Sequence, residues 1–511
     1  MAGDWLLMKM EDVERLVNHQ LPTESALFGD LEARHLAVAG TDRSSLAPLL
    51  SQIRSRKSYL IGGPALHIFV VSLRCHHTCN YCQVSRQETS ATAFDMEGAH
   101  AEQAVERLFE WPSQELTIEF QGGEPLLNFE QVKAITRRIV ERNRSARRTL
   151  RFVLASTLHD LTDDQLAFLT EHRFKLSTSL DGPEWLHNAN RPRPGRDSYR
   201  RTVEGIERGR RWLGDDGVSA LTTLTRQSLE VPETIIDEYR KLGFHSISLR
   251  PLSPYGFATK TARRTGYPTE DFLAFYRRAF DHLLSVNLAG YAMEESYASL
   301  LLSQLFTSFG HGYVDLRSPS GAGLGAVIYD HDGRVYPSDE ARMLAAMGDD
   351  AFALGHVSQP VSQWLSSPAM ARLLDAGVAE ALPTCSDCAF VPMCGADPIE
   401  HYARQGDPIG HRPSSDFCRR NMGLFDFLLE RYEKADRNIQ GLMRSWANPK
   451  PPVEDPRPCC RLKPEPSWRR QRRPACSRSC RWQSLPNHHF PSSAWPWTCG
   501  ASQRTTPAMS C

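Results

Sequence analysis

Cys75-His76-His77-Thr78-Cys79-Asn80-Tyr81-Cys82 is the stretch of sequence on which the interpretation of this chain depends. Its cysteines are separated by three and then by two residues, a spacing that can place three thiolates on one face of an iron–sulfur cubane. A closed [4Fe–4S] site uses four cysteines, so this spacing predicts a cluster with one iron open to another ligand. The alternative is a zinc knuckle, in which His76 or His77 would complete a tetrahedral site.

The composition is that of a globular protein with room for two or three domains. The chain has 511 residues, of which 41% are hydrophobic and 23% charged, and its formal net charge is zero. A balanced charge gives no overall attraction to nucleic acid or to an anionic membrane. No apolar run approaches the ~20 residues of a membrane span, and the N-terminus lacks a signal-peptide pattern. We therefore expect a cytoplasmic protein that binds neither nucleic acid nor membrane, with cysteines that ligate metal rather than form disulfides.

Strands and helices alternate from residue 65 onward. The nearly continuous apolar run at 65–73 predicts a buried parallel strand that leads directly into the cysteine loop. Five more strands are predicted at 116–120, 151–155, 175–180, 218–224 and 246–250, each separated from the next by a helix with one apolar face. Six such units with short connections predict an α/β fold, a partial (β/α)6 barrel. In a barrel of this kind the reactive groups lie at the C-terminal ends of the strands.

Polar motifs follow two of these strands. Gln121-Gly122-Gly123-Glu124-Pro125 comes after the second strand, and Ser179 ends the fourth, with Arg191 a short distance beyond. Glycines let a ligand approach the backbone, a carboxylate can accept from an ammonium group, and arginine offers a two-pronged donor to a carboxylate. Each of these residues could instead belong to an ordinary turn or surface.

In the spacing Cys-x3-Cys-x-aromatic-Cys, and in the motifs that follow, the chain resembles the radical SAM superfamily. The resemblance implies that Cys75, Cys79 and Cys82 hold a [4Fe–4S] cluster whose open iron binds S-adenosyl-L-methionine (SAM), and that an electron from the cluster cleaves SAM.

The same resemblance assigns the residues that would contact SAM. It implies that Tyr81 packs beside the adenine, that Gly122, Gly123 and Glu124 hold the amino group, and that Ser179 and Arg191 bind the carboxylate. The third strand ends in Ala155-Ser156-Thr157-Leu158, where many relatives have Thr-Asn-Gly, so no site residue is assigned there.

A second cysteine group follows a predicted β-hairpin whose turn is His331-Asp332-Gly333. It resembles the SPASM extension of radical SAM enzymes that mature peptides and proteins, which normally carries two auxiliary [4Fe–4S] clusters. The resemblance implies one auxiliary [4Fe–4S] cluster here, with four ligands: Cys385, Cys388, Cys394 and Cys418. The other cluster site is expected to be empty, because relatives have cysteines near Ser320, Ser338 and Pro398. The alternative is structural zinc, for which four thiolates are also a common ligand set.

These patterns divide the chain into four regions. Residues 1–63 could be a peptide-binding module or a simple cap on the barrel. Residues 64–305 are the predicted core barrel, and 306–440 the SPASM-like domain. Residues 449–511 are rich in Pro, Arg, Ser and Trp and lack apolar periodicity, so we expect a disordered tail, with an out-of-frame extension as the alternative.

The spacing from Cys385 to Cys418, the stretch 336–340 and the missing auxiliary ligands most resemble the radical SAM maturases of the His-Xaa-Ser system. This implies an enzyme that modifies a precursor peptide with His-Xaa-Ser repeats after hydrogen abstraction by a 5′-deoxyadenosyl radical. Its expected partners are a second radical SAM protein of the same system and an electron donor such as flavodoxin or ferredoxin. The alternatives are an anaerobic sulfatase-maturating oxidase and a non-catalytic iron–sulfur or zinc scaffold.

Asp339 is predicted to be the general base. In sulfatase-maturating relatives, an aspartate with this role follows the cysteine of a Tyr-Pro-Cys motif. Here Ser338 replaces that cysteine and Asp339 keeps its place. A substrate radical must lose a proton and an electron to become an oxidised or cross-linked product, and a carboxylate within ~3 Å could take the proton. The alternative is that Asp339 is simply a polar residue after the hairpin. We expect the substrate to thread between the barrel and this hairpin.

Overall fold

A nine-stranded sheet is the frame of the molecule in a computed structural model that describes residues 4–40, 46–307 and 313–447. Its strands lie in the order β11-β10-β9-β1-β2-β3-β4-β5-β7, and β6 pairs with β8 in a separate two-stranded sheet. The strands are β1 (Leu66–Ser72), β2 (Glu115–Gly122), β3 (Thr149–Ala155), β4 (Lys175–Ser179), β5 (Val218–Thr223), β6 (Ser246–Ile247), β7 (Leu249–Arg250), β8 (Glu294–Glu295), β9 (Ala326–Tyr329), β10 (Arg334–Tyr336) and β11 (Gly355–His356).

The helices cover this sheet and extend the chain beyond it. They are α1 (Met10–Val17), α2 (Ala26–Ala33), α3 (Leu46–Arg56), α4 (Tyr59–Gly62), α5 (Gly98–Glu110), α6 (Phe129–Ala146), α7 (Asp163–Glu171), α8 (Glu184–Asn190), α9 (Ser198–Leu213), α10 (Pro232–Lys241), α11 (Phe257–Thr265), α12 (Thr269–Leu288), α13 (Ser296–Phe306), α14 (Asp339–Ala346), α15 (Val361–Leu365), α16 (Pro368–Gly377), α17 (Pro398–Gln405), α18 (Asp416–Lys434) and α19 (Arg437–Ala447). Among the described helices, none is both long and apolar enough to cross a bilayer.

The predicted parallel α/β fold is confirmed. β1 to β5 pair in parallel in chain order, and β7 continues the series beside β5. The sixth predicted strand, 246–250, is split, because its first half pairs with β8 and only its second half with β5. Apolar side chains bury both faces of β1: Phe69 and Val71 pack in one core cluster, and Ile68 and Val70 in another.

The predicted hairpin forms and joins the barrel sheet. β9 and β10 are antiparallel, with Tyr329 opposite Val335, and β9 lies parallel to β1 along its other edge. The hairpin therefore lies beside the strand that leads into the cysteine loop. Residues 449–511, the predicted tail, lie outside the described residues.

Candidate active site

The cysteine loop begins where β1 ends and is held against the segment that follows α8. The backbone N–H groups of Thr78 and Asn80 donate to the carbonyls of Pro192 (2.8 Å) and Asn190 (2.9 Å). Arg74, just before the loop, donates to both carboxylate oxygens of Asp95, at 2.8 and 2.6 Å. Hydrogen bonds from two directions thus fix the loop at the C-terminal end of the sheet.

The three cysteines of the loop, Cys75, Cys79 and Cys82, are free thiols, each partly buried. Burial, together with the charge of the neighbouring Cys79, raises the pKa of Cys75 to about 12. Burial also raises the pKa of Cys79 to about 11, with a contribution from Cys82 and an opposing one from Arg191. Thiols so close together resist ionising unless a cation offsets their charge, and metal ligation supplies that cation.

The donor set bears on which metal would fit. Three thiols on one loop suit a [4Fe–4S] cluster that leaves one iron open to a further ligand, whereas a structural zinc site would need a fourth ligand such as His76 or His77.

One unpartnered polar atom lies beside the loop. Arg191 acts electrostatically on Cys79, and its buried Nε has no hydrogen-bond partner in the described structure. An unsatisfied buried group costs roughly 1–3 kcal/mol, so this free Nε indicates room for a polar ligand.

Gly122 and Gly123 are required by the close approach of two strand ends. Gly122 has φ +143°, and a Cβ there would lie 2.0 Å from the carbonyl oxygen of Ser72. A Cβ on Gly123 would lie 2.4 Å from the carbonyl oxygens of Leu73 and Arg74. This packing is a steric reason for both glycines, and their predicted contact with SAM stays a prediction.

Glu124 is a saturated hydrogen-bond acceptor. Its side chain is 1% exposed. Oε1 accepts from Ser156 Oγ (2.7 Å) and from the Leu126 N–H (3.0 Å), while Oε2 accepts from the N–H (2.8 Å) and Oγ1 (2.6 Å) of Thr157. A carboxylate has about four acceptor positions, and all of them are used. A bond to the SAM ammonium group would require Glu124 to give up one of these partners, so that predicted contact also stays a prediction.

Sequence reasoning missed Ser156 and Thr157. The end of β3 departs from the pattern of relatives, and no site residue was assigned there, yet both side chains fasten Glu124. The sequence feature that could have indicated their role is the pair of hydroxyl residues directly after a predicted strand.

Tyr81 and Arg191 form a buried group with Asp181, a residue that the sequence analysis did not single out. The Tyr81 hydroxyl donates to the Asp181 carboxylate at 2.7 Å and accepts from Arg191 Nη1 at 2.8 Å. Burial raises the pKa of Asp181, and the charge of Arg191 acts in the opposite direction. Arg191 is 9% exposed and lies beside Cys79 with its Nε free. Ser179 is the partly buried last residue of β4, and the SAM contacts of all three predicted residues remain predictions.

Four further cysteines come together in a separate pocket, which we call the C-terminal cysteine cluster: Cys385, Cys388, Cys394 and Cys418. The pocket has a volume of about 560 Å³, and Phe390, Phe417, Phe425 and Met422 are among its lining residues. Asn421 Nδ2 lies 3.9 Å from Cys394 Sγ, and burial raises the pKa of Cys394 to about 12. Four thiols in one pocket fit a closed site, and both an iron–sulfur cluster and structural zinc use such a ligand set.

Ser320, Ser338 and Pro398, where relatives have further cysteines nearby, serve local structure. Ser338 caps α14 by accepting from the Ala341 N–H at 3.3 Å, and Ser320 Oγ accepts from the Ala322 N–H at 3.4 Å. Pro398 begins α17.

Asp339 lines a cavity of about 440 Å³ inside the barrel, which we call the polar cavity. Gln121, directly before Gly122, lines it too, so the cavity extends to the C-terminal end of β2. Arg342 Nε donates to Asp339 Oδ1 at 2.8 Å. The structure thus places the predicted base in a cavity that reaches the strand end beside the predicted SAM site.

Comparisons with known proteins agree with this fold. Residues 69–235 match the family model described as the Radical SAM superfamily. The cysteine-type anaerobic sulfatase-maturating enzyme of Clostridium perfringens is 23% identical over 288 residues, 54% of this chain and 75% of that enzyme. An uncharacterised protein of Methanothermobacter thermautotrophicus is 27% identical over 191 residues, 37% of this chain and 69% of that protein.

Two solved structures have a similar fold. One, described as native anSMEcpe with bound AdoMet, gives a TM-score of 0.60 at 17% identity and covers 73% of this chain and 100% of that chain. The other is Streptococcus suis SuiB bound to precursor peptide SuiA, with a TM-score of 0.52 at 14% identity over 79% of this chain and 89% of that chain. The sheet, the cysteine loop and these matches define a radical SAM domain. Residues 69–235 match the Radical SAM superfamily, and the chain is similar in sequence to a sulfatase-maturating enzyme and in fold to SuiB.

Proposed function

We propose that this protein is a radical SAM maturase that modifies a ribosomally made precursor peptide with His-Xaa-Ser repeats. The observation that carries the proposal is the polar cavity, which extends from the strand end beside the cysteine loop to Asp339. A radical enzyme needs space for a substrate side chain next to its radical source, and this cavity provides it. SuiB, whose fold is similar, has been solved with its precursor peptide, and this supports a peptide substrate.

The chain's residues fit the cofactors that this activity needs. When bound, a [4Fe–4S] cluster and SAM supply a one-electron cleavage that yields a 5′-deoxyadenosyl radical able to abstract hydrogen from a substrate carbon. Cys75, Cys79 and Cys82 would hold the cluster. Arg191, with its free Nε, would bind the SAM carboxylate, and Glu124 keeps the ends of β2 and β3 in register. The C-terminal cysteine cluster would hold one auxiliary [4Fe–4S] cluster.

Asp339 would be the proton acceptor. A substrate carbon that has lost a hydrogen atom must also lose a proton and an electron to become oxidised, and a positioned carboxylate contributes typically 10²–10⁴-fold to such a step. In Asp339→Asn we expect modified peptide to fall about 100-fold or more while uncoupled 5′-deoxyadenosine formation persists. Peptide mass spectrometry and chromatography of 5′-deoxyadenosine would measure the two separately, and an unchanged product yield would remove Asp339 from the mechanism.

Sulfatase maturation is the second candidate, favoured by the similarity to the Clostridium perfringens enzyme. The decisive experiment is anaerobic reconstitution with iron and sulfide, followed by dithionite, SAM and one of two peptides. One peptide carries His-Xaa-Ser repeats and the other a sulfatase cysteine motif. We expect 5′-deoxyadenosine with both and modification of the first only. Modification of the second alone would favour the sulfatase function, and no 5′-deoxyadenosine from fully reconstituted protein would exclude both.

A further inference from the structure

The polar cavity has more acidic than basic side chains in its wall. We propose that it receives a cationic side chain of the substrate: a guanidinium, ammonium or imidazolium group. This inference rests on the proposed function and narrows its substrate class.

The charges of the wall are unbalanced. Its carboxylates come from four separate parts of the chain: Glu119, Asp315, Asp339, Glu340, Asp397 and Glu400. Only two arginines, Arg250 and Arg420, face them in the lining.

Part of this acidity is already neutralised. Asp339 pairs with Arg342 at 2.8 Å, and Glu400 pairs with Arg404 at 3.0 Å and Arg420 at 3.5 Å. Within the described residues, Glu119, Asp315 and Glu340 have no ion-pair partner within 4.0 Å, so Arg250 is the main charge left to offset them. A carboxylate taken out of water without a partner is costly, and a bound cation would remove that cost.

The pKa values of these carboxyl groups show that their ionised forms are unfavourable in the cavity. Burial and the neighbouring carboxylates together raise the pKa of Glu119, Asp315 and Glu340 to about 7 each. Asp397 behaves in the same way. Near neutral pH these groups are therefore partly protonated, and a cation that enters the cavity would favour their ionised forms.

The aromatic part of the wall also suits an organic cation. Tyr255 is 1% exposed, and its hydroxyl has no hydrogen-bond partner in the described structure. The rings of Tyr297 and Tyr313 pack edge to face with centroids 6.0 Å apart. Aromatic faces beside carboxylates attract cations such as guanidinium, and the free hydroxyl offers a hydrogen bond.

A metal ion fits this wall less well. Three carboxylates on a hard cation would converge to bond lengths of about 2.0–2.6 Å. The described residues contain one group of three potential ligands whose ligand atoms lie within 4.8 Å of one another, at Asp330–Asp332, and those residues do not line the cavity. Acidic side chains dispersed around a cavity match a cation whose charge is spread over several donors.

The test compares two ligands of the same shape on the reconstituted full chain. Nα-acetyl-arginine amide carries the guanidinium, and Nα-acetyl-citrulline amide replaces it with a neutral urea. We expect the arginine compound to bind at least about tenfold more tightly at pH 8 by isothermal titration calorimetry, since electrostatic pairing is the main difference between them. Equal binding, or undetectable binding of both, would overturn the proposal.

The pH dependence gives a second readout on the same protein. The groups that titrate near 7 are Glu119, Asp315, Glu340 and Asp397, whose ionised forms attract the cation. Arg250 and Arg420 stay charged, and the tyrosines stay neutral because their pKa values are raised. Affinity for the arginine compound should therefore rise from pH 6 to pH 8, by up to about tenfold for each group that must ionise. A flat profile would count against the proposal.

Two variants test whether the arginine compound binds in the polar cavity. Asp315→Asn should weaken binding of the arginine compound by about fivefold or more, because it removes an unpaired carboxylate. Asp164→Asn makes the same change on an exposed residue outside the cavity and should leave binding unchanged. If folded Asp315→Asn binds as the unmodified chain does, the inference fails. Formation of 5′-deoxyadenosine, measured on the same samples, tests the proposed function separately.

Discussion

The cysteine loop and the C-terminal cysteine cluster both gather free thiols, but their surroundings differ. The loop lies beside the buried Arg191, whose Nε has no hydrogen-bond partner in the described structure. The C-terminal cysteine cluster lies in a pocket with several phenylalanine side chains in its wall. Three thiols among polar groups suit a metal site that shares its last position with a ligand, whereas four thiols among aromatic rings suit a site closed to ligands. From this difference we propose chemistry at the first site and electron transfer or a structural role at the second.

Removing the loop cysteines should have the largest effect. A triple Ala variant of Cys75, Cys79 and Cys82 should lose SAM cleavage and keep about four of about eight irons, because the two sites are ligated independently. Iron analysis and the 5′-deoxyadenosine assay measure the two results. If the triple variant still cleaves SAM, the loop is not the radical source.

The C-terminal cysteine cluster should respond in the opposite way. A variant with Ala at Cys385, Cys388, Cys394 and Cys418 should lose the other half of the iron and retain uncoupled SAM cleavage within a few-fold. Metal analysis of the unmodified chain completes the comparison: about twelve irons would mean a third cluster, and zinc in place of half the iron would mean a structural site.

A milder change at the polar side of the loop tests the SAM contact. Arg191→Lys keeps the charge but removes the planar fork, so we expect SAM to bind about tenfold more weakly, with iron content unchanged. Equilibrium binding of SAM to the reconstituted protein gives the affinity. Arg200→Lys on the exposed face of α9 is the matched control, and equal effects of the two changes would exclude Arg191 from the SAM site.

The smallest expected effect concerns the support of Glu124. Thr157→Val keeps the shape but removes the hydroxyl that donates to Glu124 Oε2 at 2.6 Å. Loss of a bond to a buried carboxylate should lower the free energy of unfolding by about 1–3 kcal/mol. Denaturant unfolding would measure this, with Thr170→Val, which breaks a bond to a helix carbonyl, as the control. A larger loss for Thr170→Val would show that Glu124 does not depend on Thr157.

The difference between the two sites was partly predictable from local spacing. Cys75 to Cys82, the glycine pair at 122–123 and the hairpin turn at His331–Gly333 are each encoded within a few residues, so short-range geometry was enough to place them. The bond from Thr157 to Glu124 joins residues 33 positions apart, just beyond the ends of two neighbouring strands, and no local pattern encodes it.

The sequence by itself determined the alternation of strands and helices, the two cysteine groups and the hairpin. Each of these features produces a pattern that is periodic or confined to a few neighbouring residues, such as an apolar run for a buried strand or a fixed spacing of cysteines. Only the tertiary structure decided that the hairpin adds to β1 in parallel, that Glu124 is saturated with hydrogen bonds, and that Glu119, Asp315 and Glu340 face one cavity. These features depend on pairing and packing between distant segments. In the sequence, each of those carboxylates is an ordinary acidic residue, and it becomes unusual only where the folded chain removes its solvent and brings the others close.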